Sequence, residues 1–129
     1  MKKILLIAAM FLTVGSAANA ACTRADLTGT WVVYSSGAYS YANRCQLIIP
    51  AKGDSFSASC FAANNSTSNA TVSITSFDKT CHLVSQFVSP TDTITVDAFV
   101  SKGKDSMSGM WVEYANGNTY SGSFNGSKQ

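Results

Sequence analysis

The feature that most restricts this chain is a period-2 alternation of apolar and polar residues, interrupted by turn signals roughly every ten residues. Successive strand side chains point to opposite faces, so this pattern buries one face and wets the other only as β structure. Strands are expected near 27–35, 44–50, 54–61, 70–77, 80–88, 93–100, 105–114 and 118–125. No window beyond residue 20 offers a helical stripe. Between the runs lie Lys52-Gly53-Asp54, the polar loop Asn64–Asn69, Asp78-Lys79, Pro90-Thr91-Asp92, Lys102-Gly103-Lys104 and Asn116-Gly117. The last is the strongest hairpin signal, because Asn and Gly accept the positive φ angles of a two-residue turn.

A short motif recurs on four of the expected strands: apolar, Ser or Thr, Gly or Ala, any residue, then Trp, Cys or Phe. It occupies 27–31, 56–60, 107–111 and 120–124. Its first, third and fifth positions share a face, and that face is the interior because the other is mostly Ser and Thr. A two-residue turn at Asn116-Gly117 sets Trp111 against Gly122 and Gly109 against Phe124, so that a ring covers each interior glycine. A four-residue turn at 101–104 sets Ala98 against Met107, Val96 against Gly109 and Ile94 against Trp111. One at 51–54 sets Ile49 against Phe56, Leu47 against Ala58 and Cys45 against Cys60.

Eight sequential antiparallel strands of this length are expected to close into an all-β, eight-stranded up-and-down β-barrel, with a β-sandwich as the alternative. An outer-membrane barrel would need an apolar outer band, and here the outer face is rich in Ser and Thr.

Residues 1–20 join Met-Lys-Lys, an apolar run from Ile4 to Val14 and the small-x-small site Ala18-Asn19-Ala20, which reads as a cleaved signal peptide of bacterial type. The apolar run is shorter than the ~20 residues a helical membrane span needs. The expected domain is then 21–129, in the periplasm or outside the cell. A lipid anchor at Cys22 is not expected, since Asn19 stands where a lipoprotein site carries Leu. Removing Lys2 and Lys3 from the 9 basic residues leaves 7, matched by 7 acidic ones. A neutral domain without a basic cluster excludes the usual electrostatic basis of nucleic-acid binding.

Four cysteines, Cys22, Cys45, Cys60 and Cys81, are widely spaced, and the single histidine is His82. Neither the spacing nor the histidine count suits zinc, so two disulfides are expected and no metal or cofactor. Three pairings are possible. The opposed positions of 45 and 60 favour Cys45–Cys60, which leaves Cys22–Cys81, and in a meander the two strand starts involved share one end.

With the strands placed, Leu27–Trp31 resembles the Gly-x-Trp opening of lipocalin-like and avidin-like barrels, whose Trp plugs one end of the barrel. Avidins carry an Asn two positions after the Trp, where this chain has Val33, so biotin binding is not implied. The order Leu27–Trp31 followed by Cys45-Gln46-Leu47 also resembles small periplasmic inhibitors of secreted metalloproteases. That resemblance implies that Ala21–Asp26 would occupy the place of the segment that enters the protease cleft.

For function, Asp92, Asp97 and Glu113 are scattered acids and His82 has no evident partner, so no enzyme is expected. Small interior residues, among them Gly29, Gly109 and Gly122, could leave a pocket bounded by Trp31, Trp111 and Phe124. The expectation favours those rings, with Phe56, filling the space. Tyr34, Tyr39 and Tyr41 lie in or beside the 35–43 connection, amid small polar residues that suit a binding loop. The expected function is an exported, non-enzymatic binding protein that engages another macromolecule through rim or loops, for example as an inhibitor of a secreted hydrolase. The alternative is a carrier of a small apolar ligand.

Overall fold

The computed structural model describes residues 20–37 and 43–129. Eight strands follow one another around a closed antiparallel barrel: β1 (Gly29–Gly37), β2 (Asn43–Ile49), β3 (Ser55–Ala62), β4 (Thr67–Phe77), β5 (His82–Val88), β6 (Thr93–Val100), β7 (Ser106–Ala115) and β8 (Asn118–Lys128). Each strand pairs with its neighbour in sequence, and β1 pairs with β8 to complete the ring. The expected up-and-down barrel is thus the fold, and the sandwich alternative falls away. Closure satisfies every strand edge, which an open sheet of this length would leave exposed. The leader at 1–20 lies outside the described residues except for Ala20, and no described helix is long and apolar enough to cross a membrane.

Local turn chemistry sets much of the register. Asn116 and Gly117 take φ values of 51° and 78°, and the strands resume pairing at Ala115 and Asn118. Trp111 therefore faces Gly122, and Gly109 faces Phe124. Leu47 faces Ala58 and Cys45 faces Cys60, also as expected. Both disulfides form, Cys45–Cys60 and Cys22–Cys81, and among the described residues no cysteine is free. Two disulfides are compatible with an oxidising, exported location.

The β6–β7 hairpin differs from expectation. Val100 pairs with Met107, Ala98 with Gly109, Val96 with Trp111 and Ile94 with Glu113. The cause is a turn displaced by one residue. Ser101 N–H donates to the Ser106 carbonyl at 2.8 Å, while Lys104 adopts φ 61° and its N–H donates to the Ser101 carbonyl at 3.0 Å. The Ser101 hydroxyl also donates to Asp105 Oδ1 at 2.9 Å. Sliding the pairing by two residues keeps every side chain on its original face, so the interior set is unchanged. β4 and β8 are longer than their alternation suggests, and Thr67–Asn69, expected in a loop, belong to β4. Pairing with β3 and β1 extends these polar stretches as strand.

One pole of the barrel is plugged. Leu27, expected to begin the first strand, instead ends a one-turn helix, α1 (Arg24–Leu27). The helix is too short to produce a periodic signal. Asp26 holds it from within, accepting from Thr23 N–H at 2.7 Å. Lys104 Nζ donates to the same carboxylate at 2.9 Å and Lys128 Nζ donates to the Asp26 carbonyl at 3.0 Å. Cys22 is buried and bonded to Cys81, and its N–H donates to the Lys79 carbonyl. The segment Ala21–Asp26 is therefore fastened to the barrel.

Beneath this plug Leu27 and Trp31 are fully buried. The Trp31 indole N–H donates to the Leu27 carbonyl at 2.8 Å, and the Lys128 ammonium stands 5.5 Å from the ring centroid. Leu47, Ile49, Leu83, Val100 and Met107 complete the packed half. Their side chains pack with Leu27 and Trp31 into one buried cluster.

Candidate functional site

Towards the other pole the interior is not filled. A cavity of about 240 Å³ opens between the ends of the strands. Its floor and walls are apolar: Val33, the Cys45–Cys60 disulfide, Ala70, Phe87, Ile94, Val96, Trp111 and Phe124. Its rim is polar: Ser35, Asn43, Ser68, Ser89, Asp92 and Glu113. The expectation that aromatic rings fill the barrel thus holds only for the plugged half. In an eight-stranded barrel the interior just accommodates side chains or one small ligand, and the small side chains on the β3–β4 wall tip the balance. Ala58 and Ala70 face one another across that wall, beside Cys60 and Ser68.

Trp111 is placed by two glycines. Gly37 and Gly122 are cross-strand partners where β1 meets β8. A Cβ on Gly122 would stand 2.7 Å from the indole and would also collide with the Ser36 carbonyl. A Cβ on Gly37 would meet the Gly122 backbone at 2.5 Å. The absence of both lets the backbones approach and the ring lie against them, with Nε1–H donating to the Ser36 carbonyl at 3.2 Å. Of the pocket residues singled out in the sequence, Trp111 and Phe124 line the cavity. Gly122 supports it from behind. Trp31 and Gly29 belong to the plugged pole, and Gly109 is packed against Ala98, which leaves no space for a Cβ.

Two of the three acids that looked scattered meet at the rim. The turn after β5 fixes Asp92: its N–H donates to the Ser89 hydroxyl at 3.1 Å, and Ser89 N–H donates to the Asp92 carbonyl at 2.9 Å. The Thr91 hydroxyl donates to Asp92 Oδ2 at 2.5 Å. The displaced β6–β7 register sets Glu113 against Ile94, which brings its carboxyl within hydrogen-bonding reach of Asp92. Burial pushes the Glu113 carboxyl above the ordinary range, and the Asp92 charge and the hydrogen bond between the two push it further.

The third acid, Asp97, lies on the outer wall. His82 Nε2 is 2.8 Å from its Oδ1, and the His82 ring stacks on Phe99 with centroids 4.7 Å apart. His82 therefore does have a partner, supplied by the β5–β6 pairing that sequence spacing did not reveal. Both groups are remote from the cavity lining. Among the described residues no group of three or more His, Cys, Asp or Glu is placed to hold a metal.

Tyr34 is 56% exposed and points outward from β1, away from the cavity. Tyr39 and Tyr41 lie outside the described residues.

Comparison with known proteins found no matching family model, no matching curated protein and no matching solved structure.

Proposed function

We propose that the protein is an exported, non-enzymatic binding protein that takes a small, largely apolar molecule into the open cup of its barrel. The observation that supports this reading is the cavity itself. It combines a continuous apolar floor with a few convergent polar groups at one entrance, the usual composition of a small-molecule site. At about 240 Å³ it falls just below the ~300–1,000 Å³ of sites that take drug-sized ligands, so the ligand is smaller than those. The signal-like leader and the two disulfides support a periplasmic or secreted setting.

Engagement of a macromolecule through the rim is the second reading, supported by the exposed Tyr34 ring beside the mouth. Its protease-inhibitor form draws no support from Ala21–Asp26, because that segment is fastened at the opposite pole.

An NMR titration with phenol and indole separates the two. Under the cavity reading, shifts concentrate at Ala70, Phe87, Trp111 and Phe124. Ala70→Phe, which fills the cup from its wall, abolishes them while the thermal midpoint stays unchanged or rises. No saturable shifts at millimolar ligand, or shifts confined to the outer wall around Tyr34, would refute the small-ligand reading. Native mass spectrometry of protein purified from its host provides an independent check through a co-purifying small molecule.

A further inference from the structure

Resting on that reading, we propose that the cup selects small organic monocations, seating an ammonium group between Asp92 and Glu113 with its apolar body on Trp111, Phe87 and Ile94. Two independent features carry this. The first is the arrangement of the cavity: among the described residues the only ionisable groups in its lining are the two carboxyls, both at the rim above an apolar floor. A bound molecule is thereby oriented head outward and body inward.

The second is the distribution of charge along the barrel axis. Lys52, Lys79, Lys102 and Lys104 lie in the loops of the plugged pole, and Lys128 ends β8 there. Arg24 is in α1 at the same pole. Among the described residues the mouth has one basic side chain nearby, Arg44, which is exposed on the outer wall of β2. Asp26, Asp54, Asp78 and Asp105 at the same pole offset four of these six positive charges, two of them as ion pairs with Lys104 and Arg24, so the base keeps a small positive excess while the mouth carries Asp92 and Glu113. That difference in sign favours cations over anions at the entrance.

The groups facing Glu113 are Asp92 from the β5–β6 turn, Ile94 from β6 and Tyr120 from β8. None of these neutralises the carboxyl pair with a positive charge. An incoming ammonium does so by lying against the two carboxylates. Binding therefore competes with protonation of the carboxyls and tightens as pH rises out of the carboxylate range.

Calorimetric titration of the disulfide-bonded protein tests this with 2-phenylethylamine and hexylamine, each against its neutral counterpart, 2-phenylethanol and hexanol. At about pH 7.5 each amine is expected to bind at least roughly tenfold more tightly than its alcohol, as a charge-assisted contact requires. The preference should shrink at about pH 4, where the carboxyls are largely protonated. It should vanish in Glu113→Gln combined with Asp92→Asn, with alcohol binding retained as proof that the cup is intact. Equal affinity for amine and alcohol at neutral pH would overturn the cation proposal and leave the cavity reading standing. Failure of all four probes to bind would remove both.

Discussion

Trp31 shows how much of the fold rests on single side chains. It is fully buried, its indole N–H is satisfied by the Leu27 carbonyl, and the Lys128 ammonium lies over its face. Replacing it with Ala removes a large apolar volume from a region that α1 and the Cys22–Cys81 bond prevent from collapsing. Trp31→Ala is expected to cost about 3–5 kcal/mol in urea unfolding. A loss below about 1 kcal/mol would mean that the plug contributes little. Trp111, the other tryptophan, tells a different story. It is only half-buried, lies against a glycine pair and borders empty space. The same residue type thus closes one pole and furnishes the other. The recurring motif showed that both rings face inward, but not which of them would have neighbours enough to fill the space around it.

At the level of elements, hairpins whose turns leave one choice were legible from the residues alone. Asn116-Gly117 admits a single two-residue turn, and the opposed Cys45 and Cys60 fit only one register of β2 on β3. Lys102-Gly103-Lys104 is permissive. It accommodates a turn in either of two frames, and hydrogen bonds from Ser101 to Ser106 and Asp105 select the later one. That one-residue difference also explains why the Asp92–Glu113 pair escaped notice, since it forms only when Glu113 sits opposite Ile94. α1 was missed because one helical turn held by Asp26 leaves no periodic trace. The two disulfides differ as constraints on the unfolded chain. They close sequence separations of 59 and 15 residues, for which loop entropy gives about 4 and about 3 kcal/mol. Paired Cys→Ala variants compared by denaturant unfolding should therefore show Cys22/Cys81 as the more costly loss. The reverse order would mean that strain or residual structure outweighs loop entropy.

Over the whole molecule, acids of opposite character sit at opposite poles. Asp26 is held below the ordinary carboxylate range, first by its hydrogen bond from Lys104. Asp78 is lowered chiefly by the Thr80 hydroxyl, which donates to it at 2.6 Å. A carboxyl with a lowered folded pKa stabilises the fold above its unfolded value, and that contribution is lost as pH falls through the folded one. Glu113 has the opposite sign. Its raised pKa favours the fold under acid conditions, and that contribution is lost as pH rises through the folded value. Glu113→Gln should accordingly raise the thermal midpoint at neutral pH and converge on the parent in acid. Asp26→Asn and Asp78→Asn should lower it at neutral pH and converge in the same direction. Midpoints measured across the acid-to-neutral range check both signs. A Glu113→Gln variant less stable than the parent at neutral pH would show that Asp92 is not repelling it.

The seam between β1 and β8 has a kinetic consequence. Trp31 pairs with Lys128, and Gly37 with Gly122, so the contacts that close the ring join the first strand to the last. Such pairings between distant parts of a chain are slow to form, and folding of barrels dominated by them falls in the range of ~milliseconds to seconds. Until β8 arrives, β1 and β7 each present an unpaired edge, and the nascent molecule is open to pairing with other chains. Maturation is therefore gated by arrival of the final strand, and a truncation before β8 should yield aggregates rather than a smaller barrel.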